Sequence, residues 1–346
     1  MASSIQNNRV SSPGYCVCCR ACNMWCWKAF KWLPVLLIVT IITWSYYAYV
    51  LQLCIFTIES TVQQCVYLVL YHILLVMFAW SYWRTIFAEV KLIPDKYKLP
   101  EADLEKLLSA ESEEAQRTVL DNFAKDLPIV TRTMSGSVRY CNRCVLVKPD
   151  RAHHCSICAR CVLKMDHHCP WVNNCVCFHN YKFFILFLGY SLLYCLFIMA
   201  TCLPYFVKFW KGDFGTAASG GRYHIVFAFF VALMFAISLG SLFGYHCYLV
   251  ANNRTTLEAF RAPMFRGGAD KNGFSIGAYN NFKEVFGTSP NLWLVPVFTS
   301  FGDGIVYPLP RDEEESESLL SSERWERWGE RPRPFDERES SSFDEL

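Results

Sequence analysis

Four stretches without a single Asp, Glu, Lys or Arg constrain this chain more than any other feature. They hold 27 residues between Lys31 and Glu59, 24 between Glu59 and Arg84, 25 between Lys182 and Lys208, and 31 between Arg222 and Arg254. About 20 apolar residues suffice for a helix to cross a hydrocarbon core about 30 Å thick. Helices are the spanning form expected at this length, because a helix satisfies its own backbone groups away from water. The pattern predicts an all-α integral membrane protein with spans at 34–57, 62–84, 183–207 and 224–249. The first run is too long for a cleavable signal and lacks a small-residue cleavage site. Hydrophobic residues at 53% and aromatics at 16% exceed what soluble domains carry. A formal charge of +2 gives no basic field for nucleic acid, which is excluded as a partner.

Four spans place both termini and the segment between the second and third spans on one side. Flanks on that side carry Arg20, Lys28, Lys31, Arg84, Lys91, Lys182, Arg254 and Arg261. The opposite hairpin at 58–61 holds only Glu59, and the loop at 208–223 adds Lys208, Lys211 and Arg222. The positive-inside rule makes the first face cytosolic. The cytosolic N-terminus, 1–33, bears Cys16, Cys18, Cys19, Cys22 and Cys26 beside basic residues, which are either S-acylation sites or inert thiols. Residues 85–135 read as a linker with an acidic helix carrying Leu104, Leu107 and Leu108. A compact aromatic segment at 250–310 is expected to pack back on the central module or on the membrane surface. Residues 311–346 turn acidic and Ser-rich, with too few apolar residues to offset ordering entropy, and are expected to form a disordered tail.

Between Cys141 and Cys177 the chain carries eight cysteines, joined by His153, His154, His167, His168 and His179. Paired C-x2-C steps followed by histidine supply tetrahedral thiolate and imidazole ligands for zinc. Cys141, Cys144, His154 and Cys161 make one set, and Cys155, Cys158, His168 and Cys175 a second. The sets overlap in sequence, so two metals would staple short β-hairpins in a region with little apolar core. Closed Cys3His sites keep no open position, so these zincs are expected to be structural. Cys169 is left over beside Asp166 and His167. An imidazole in reach activates a thiol, and a carboxylate orients that imidazole. His167 then serves as base and Asp166 as its orienter, or Cys169 is a redundant fifth zinc ligand; spacing alone leaves both open.

The run Cys141-x2-Cys144-x3-Lys148-Pro-Asp-Arg-Ala-His-His-Cys155-x2-Cys158-x2-Cys161-x4-Asp166-His-His-Cys-Pro-Trp-Val-Asn-Asn-Cys175 resembles the DHHC family of integral-membrane protein S-acyltransferases, the palmitoyltransferases. The likeness covers the whole cysteine-rich domain, 136–182. Thr255-Thr256-Leu257-Glu258 resembles the family's Thr-Thr-x-Glu motif, and Asn281-Phe282 its C-terminal asparagine–aromatic step. Trp44-Ser-Tyr-Tyr-Ala-Tyr is similar to a vertebrate subgroup of Golgi and plasma membranes.

The resemblance implies a protein-cysteine S-palmitoyltransferase with two structural zinc ions and acyl-CoA as donor. Cys169 would take the acyl group as a thioester and pass it to cysteines of membrane-associated substrate proteins. It implies that His167 activates the thiol, that Asp166 polarises His167, and that Cys169 binds neither zinc. Thr256 would contact this triad and Asn281 would hold the C-terminal segment. An acyl chain held between the helices contributes about 0.8 kcal/mol per buried CH2. Ser45, Tyr194 and Trp171 are candidates for lining that cavity. Arg139, Arg143, Lys148, Arg151 and Lys164 are candidates for the phosphates of CoA through charge-assisted bonds.

Two positions depart from the family pattern: Cys177 stands where glycine is usual, and His179 where a small residue is commoner. Cys177 thus puts the local turn in question. Other classes fit less well. A zinc-binding membrane adaptor needs no unligated thiol at this place, a RING-type ligase uses another Cys/His alternation, and a channel or transporter usually carries charges within its spans.

Overall fold

A computed structural model describes residues 29–212 and 221–309. The N-terminal cysteines Cys16 to Cys26, residues 213–220 of the expected 208–223 loop and the expected tail at 311–346 lie outside the described residues. Helix α1, Leu33–Tyr46, enters through Pro34 in its first turn, where a missing N–H costs nothing, and continues as a π-helix over Tyr47–Ile55. Ser60 caps α2, Thr61–Phe87, by accepting from the Gln63 N–H. Two amphipathic helices follow, α3 at Glu101–Ser109 and α4 at Glu113–Phe123, the latter capped by Ser112.

Three antiparallel hairpins form the centre: β1 (Tyr140–Cys141) with β2 (Leu146–Val147), β3 (His153–Cys155) with β4 (Arg160–Val162), and β5 (His167–Cys169) with β6 (Asn174–Val176). Then come α5, Tyr181–Lys211, and α6, Gly221–Ala251. Helix α7, Thr256–Phe260, the small hairpin β7 (Met264–Phe265) with β8 (Gly268–Ala269), and α8, Ala278–Phe286, complete the fold. Helix α5 ends on Gly212, whose φ of 75° closes the last turn in the left-handed region that glycine enters freely.

Four helical stretches are long and apolar enough to cross a membrane: Leu33–Ile55, Thr61–Phe87, Tyr181–Lys211 and Gly221–Ala251. Each overlaps one expected span, and all but the first run past it at both ends, because their polar-flanked turns stay helical. Their outward faces show Val69, Ile73, Val76, Phe227 and Ile237 at 54–65% exposure. An apolar surface this continuous fits lipid and not water.

The segment at 85–135 does more than space two parts. Leu107 of α3 and Leu120 of α4 are buried in one apolar cluster with Val147, Leu163, Phe178 and Ile305. The linker therefore forms a wall of the cysteine-rich module. The C-terminal segment packs on the module, where Lys164 donates to Glu284 on α8 at 2.6 Å and Arg151 to Glu258 on α7 at 2.9 Å, and it is braced within itself. Asn281 on α8 accepts from the Ile276 N–H at 2.9 Å and donates to the Ala251 carbonyl at 2.7 Å and Ser275 Oγ at 2.9 Å. The module also grips the second apolar helix, because the Asn174 side-chain amide donates to the carbonyls of Thr85, Ile86 and Ala88 at 3.0–3.3 Å. Thr85 and Ile86 lie in the last turn of α2, whose carbonyls have no partner within the helix, and Ala88 is its C-cap.

Candidate active site and metal centres

Hairpin register assembles the metal ligands. His154 on β3 stands directly opposite Cys161 on β4, and His168 on β5 directly opposite Cys175 on β6. Each cross-strand pair meets the C-x2-C turn of the preceding hairpin, Cys141–Cys144 and Cys155–Cys158 respectively. Val145 and Ala159, which follow those turns, adopt φ of 52° and 54°. A β-branched residue rarely enters that region, so the surrounding structure must over-determine the turn.

Within each set the four ligand atoms lie within 4.8 Å of one another. His154 Nδ1 is 3.6, 3.2 and 3.8 Å from the sulfurs of Cys141, Cys144 and Cys161. His168 Nδ1 is 3.7, 3.5 and 3.6 Å from those of Cys155, Cys158 and Cys175. A tetrahedron with Zn–S of about 2.3 Å and Zn–N of about 2.0–2.1 Å has S···N edges of about 3.6 Å. Both sets therefore fit zinc in donor type, number and size. Cys169 belongs to neither.

Cys169 is the last residue of β5, 7% exposed, in the same apolar cluster as Tyr82, Val172 and Phe187. His167 donates from Nδ1 to Asp166 Oδ2 at 2.6 Å, and the Cys169 thiol, two residues on along β5, is close enough to favour its charged form. Thr256 then fixes the carboxylate twice: its N–H donates to Oδ1 and its hydroxyl to Oδ2, both at 2.8 Å. Burial alone would push Asp166 upward, but the His167 hydrogen bond and charge and the Thr256 N–H together hold it below the usual carboxylate range. Burial likewise pulls His167 down, while the bonds to Asp166 and Cys169 outweigh it and raise it to about 9. The arrangement is a buried carboxylate–imidazole–thiol array in which the imidazole readily holds a proton.

Thr256 owes its position to a capping box. Thr255 accepts from the Glu258 N–H, and Glu258 accepts from the Thr255 N–H. Glu258 in turn receives Arg151 through a fork of two bonds, Nε to Oε1 at 2.9 Å and Nη2 to Oε2 at 2.7 Å. Arg151 also donates to Asn253, and Lys164 donates to Glu284 at 2.6 Å, closing a buried cage of two cations and two anions. This corrects the sequence expectation for Arg151 and Lys164, which are 2% and 6% exposed and have no face toward a dissolved phosphate. Arg139 is also turned inward, donating to the Ala152 carbonyl at 2.6 Å. Of the five cations considered, Arg143 is exposed and Lys148 half-buried.

We expect Arg151→Met to destabilise the protein by about 3–5 kcal/mol, because buried Glu258 loses its cation while Glu284 keeps only Lys164. Thermal melting in detergent would show this, and Arg151→Lys should recover little, since an ammonium cannot make the fork. Pairing Arg151→Met with Glu258→Gln should recover part of the loss; simple addition of the two effects would contradict a shared cage.

Inside the helices, Ser45 Oγ and Tyr194 Oη meet at 2.7 Å. Tyr71, which the sequence did not single out, joins them through a 2.7 Å bond to Tyr194 and stacks on Tyr49 at 4.6 Å. Nothing in the sequence separates this tyrosine from others in apolar runs. Trp171 does not join the group. It lies in the turn after Cys169, 51% exposed, its carbonyl accepting from Tyr82 Oη at 2.7 Å. A ladder of rings links the two levels: Tyr82 to Phe187 at 4.9 Å, Phe187 to Phe78 at 5.8 Å, and Phe78 to Tyr194 at 5.6 Å.

The two departures from the family pattern are accommodated. Cys177 has no left-handed backbone, so the turn does not require glycine. Its thiol is wholly buried beside Val90 and Val162, and burial pushes it up to about 12. His179 packs against the rings of Phe178 and Phe298.

A family model described as DHHC palmitoyltransferase matches residues 135–262. Palmitoyltransferase ZDHHC2 of Danio rerio is 56% identical over 283 residues, covering 82% of this chain and 78% of that protein. Palmitoyltransferase ZDHHC2 of Homo sapiens is 56% identical over 284 residues, covering 82% and 77%. Palmitoyltransferase ZDHHC15 of Xenopus laevis is 48% identical over 319 residues, covering 92% of each.

Proposed function

The chain belongs to the DHHC palmitoyltransferase family and is an acyltransferase; from that premise we propose that Cys169, His167 and Asp166 carry its chemistry on the cytosolic face of a membrane. The observation that carries this reading is a thiol outside both metal sets, joined through His167 to a carboxylate that Thr256 holds in place.

In the first step the Cys169 sulfur attacks the thioester carbonyl of a long-chain acyl-CoA. The carbonyl–sulfur bond to CoA breaks, and the proton taken by His167 passes to the departing CoA thiolate. In the second step the thiol of a substrate protein gives its proton to His167 and attacks the Cys169 thioester, and Cys169 leaves with its electron pair. Asp166 stabilises the imidazolium in both steps without changing its own protonation. Zinc held by the two Cys3His sets would supply folding free energy to the hairpins and no step of the reaction.

Four apolar helices support a multi-pass topology with 34–57, 62–84, 183–207 and 224–249 in the bilayer and the module at 136–182 outside it. The balance of basic residues supports cytosolic termini and a cytosolic site, and the likeness of Trp44-Ser-Tyr-Tyr-Ala-Tyr to its vertebrate subgroup supports Golgi or plasma membranes. The aromatic ladder from Tyr82 to Tyr194 is the path along which the acyl chain would lie, with Ser45, Tyr71 and Tyr194 at its far end and Trp171 near the thiol. Arg143 and Lys148 remain available to the CoA phosphates, and membrane-associated proteins with accessible cysteines are the acceptors.

Detergent-purified protein given labelled palmitoyl-CoA is expected to acquire a covalent label released by neutral hydroxylamine. A protein with two zinc ions and no label would instead be a non-enzymatic adaptor.

A further inference from the structure

Buried polar side chains within apolar helices usually mark function, since an unpaired one is costly there. His246, near the end of α6, is 2% exposed and has no part in the two transfer steps above. Its Nδ1 lies 3.1 Å from Tyr181 Oη, at the first residue of α5. With the tyrosine hydroxyl donating, the imidazole carries its proton on Nε2. The His246 ring lies 6.0 Å from the His167 ring, tilted by 38°, and meets Phe184 edge-on at 5.0 Å. Phe184 in turn meets His167 edge-on at 5.4 Å. Asp166 fixes the position of His167 Nδ1, but one hydrogen bond leaves the tilt of the ring free.

We infer that His246 is a positioning residue for acyl transfer: locked by Tyr181, it joins Phe184 in clamping the His167 ring so that its second nitrogen stays aimed at Cys169. This rests on the acyl-transfer reading given above. A hydrocarbon ring at 246 would fill the same space, but it would take from the buried Tyr181 hydroxyl its His246 partner, beside Asp166, Arg151 and Glu258. The clamp would then shift by the movement that hydroxyl needs to find a partner. Because Tyr181 opens α5 and His246 lies in the last turns of α6, their bond also ties these two helices together at the level of the reacting thiol.

The test compares wild type, His246→Phe, His246→Gln and Tyr181→Phe for the rate of acyl-enzyme formation from palmitoyl-CoA, with zinc content measured on each. A displacement of order 1 Å in a reacting geometry costs up to about a hundredfold in rate. His246→Phe should therefore be slower by about tenfold or more with zinc still at two per chain. His246→Gln, which keeps an acceptor for Tyr181, should recover most of the rate, and Tyr181→Phe should be slowed in the same direction as His246→Phe. Equal rates for His246→Phe and wild type would overturn the inference, as would equal impairment of the Phe and Gln variants. Should His246→Phe fail to fold, Tyr181→Phe decides alone: a wild-type rate overturns the inference. Failure of wild type itself to label refutes the acyl-transfer reading, and is seen before any variant is compared.

Discussion

Cys169→Ser is expected to abolish the acyl-enzyme while leaving two zinc ions bound. Loss of a nucleophile that works as a unit with its base lowers turnover by orders of magnitude, here at least about a thousandfold. A serine hydroxyl at this place keeps nearly the shape of the thiol but is a far poorer nucleophile beside a single imidazole. Zinc should not change, because no ligand atom of either set comes from Cys169. Labelling and metal analysis on the same preparation separate the outcomes. Loss of a zinc would make Cys169 a ligand, and an undiminished hydroxylamine-labile adduct would place the nucleophile elsewhere. Any residual oxyester on the serine would resist hydroxylamine, so it could not be mistaken for the thioester.

His167→Ala and His168→Ala, one residue apart, should fail in opposite ways. Successive side chains of a strand point to opposite faces, and in β5 this sends His167 to Asp166 and His168 to the sulfurs of Cys155, Cys158 and Cys175. His167→Ala should keep both zincs and lose the acyl-enzyme. His168→Ala should lose the second zinc, free those three thiols to alkylation and unfold the paired hairpins. A structural zinc supplies about 10–16 kcal/mol of apparent binding free energy in small modules, more than these two- and three-residue strands can replace by packing. The measurement is zinc stoichiometry with thiol alkylation mapped by mass. Two zincs retained in His168→Ala would break the proposed ligand set.

Much of this was legible in sequence because the information is local. Charge-free runs announce the long helices, and ligand sets confined to 141–175 can be counted by spacing. Hairpin register then does geometrically what spacing implies, setting His154 against Cys161 and His168 against Cys175. What spacing could not show was pairing over distance. Arg151 and Lys164 look like free cations beside the module, yet their carboxylates, Glu258 and Glu284, lie 107 and 120 residues further along. The same holds for Leu107 and Leu120, whose burial depends on a surface that forms only once the hairpins close. The π-helical half of the first apolar helix has no composition that sets it apart. Tyr71 becomes notable only when Ser45 and Tyr194 arrive from two other helices.

Asn174 joins two kinds of stability that are usually separate. Its amide completes the last turn of α2, yet it sits on β6 next to the zinc ligand Cys175. The end of that helix is thus finished by a residue whose place depends on a metal held outside the helix. Until the hairpin closes, that helix end would lack the amide that completes it. Zinc binding and the order of that helix end would thereby be coupled, since the hairpin that carries Cys175 also carries the amide that finishes α2.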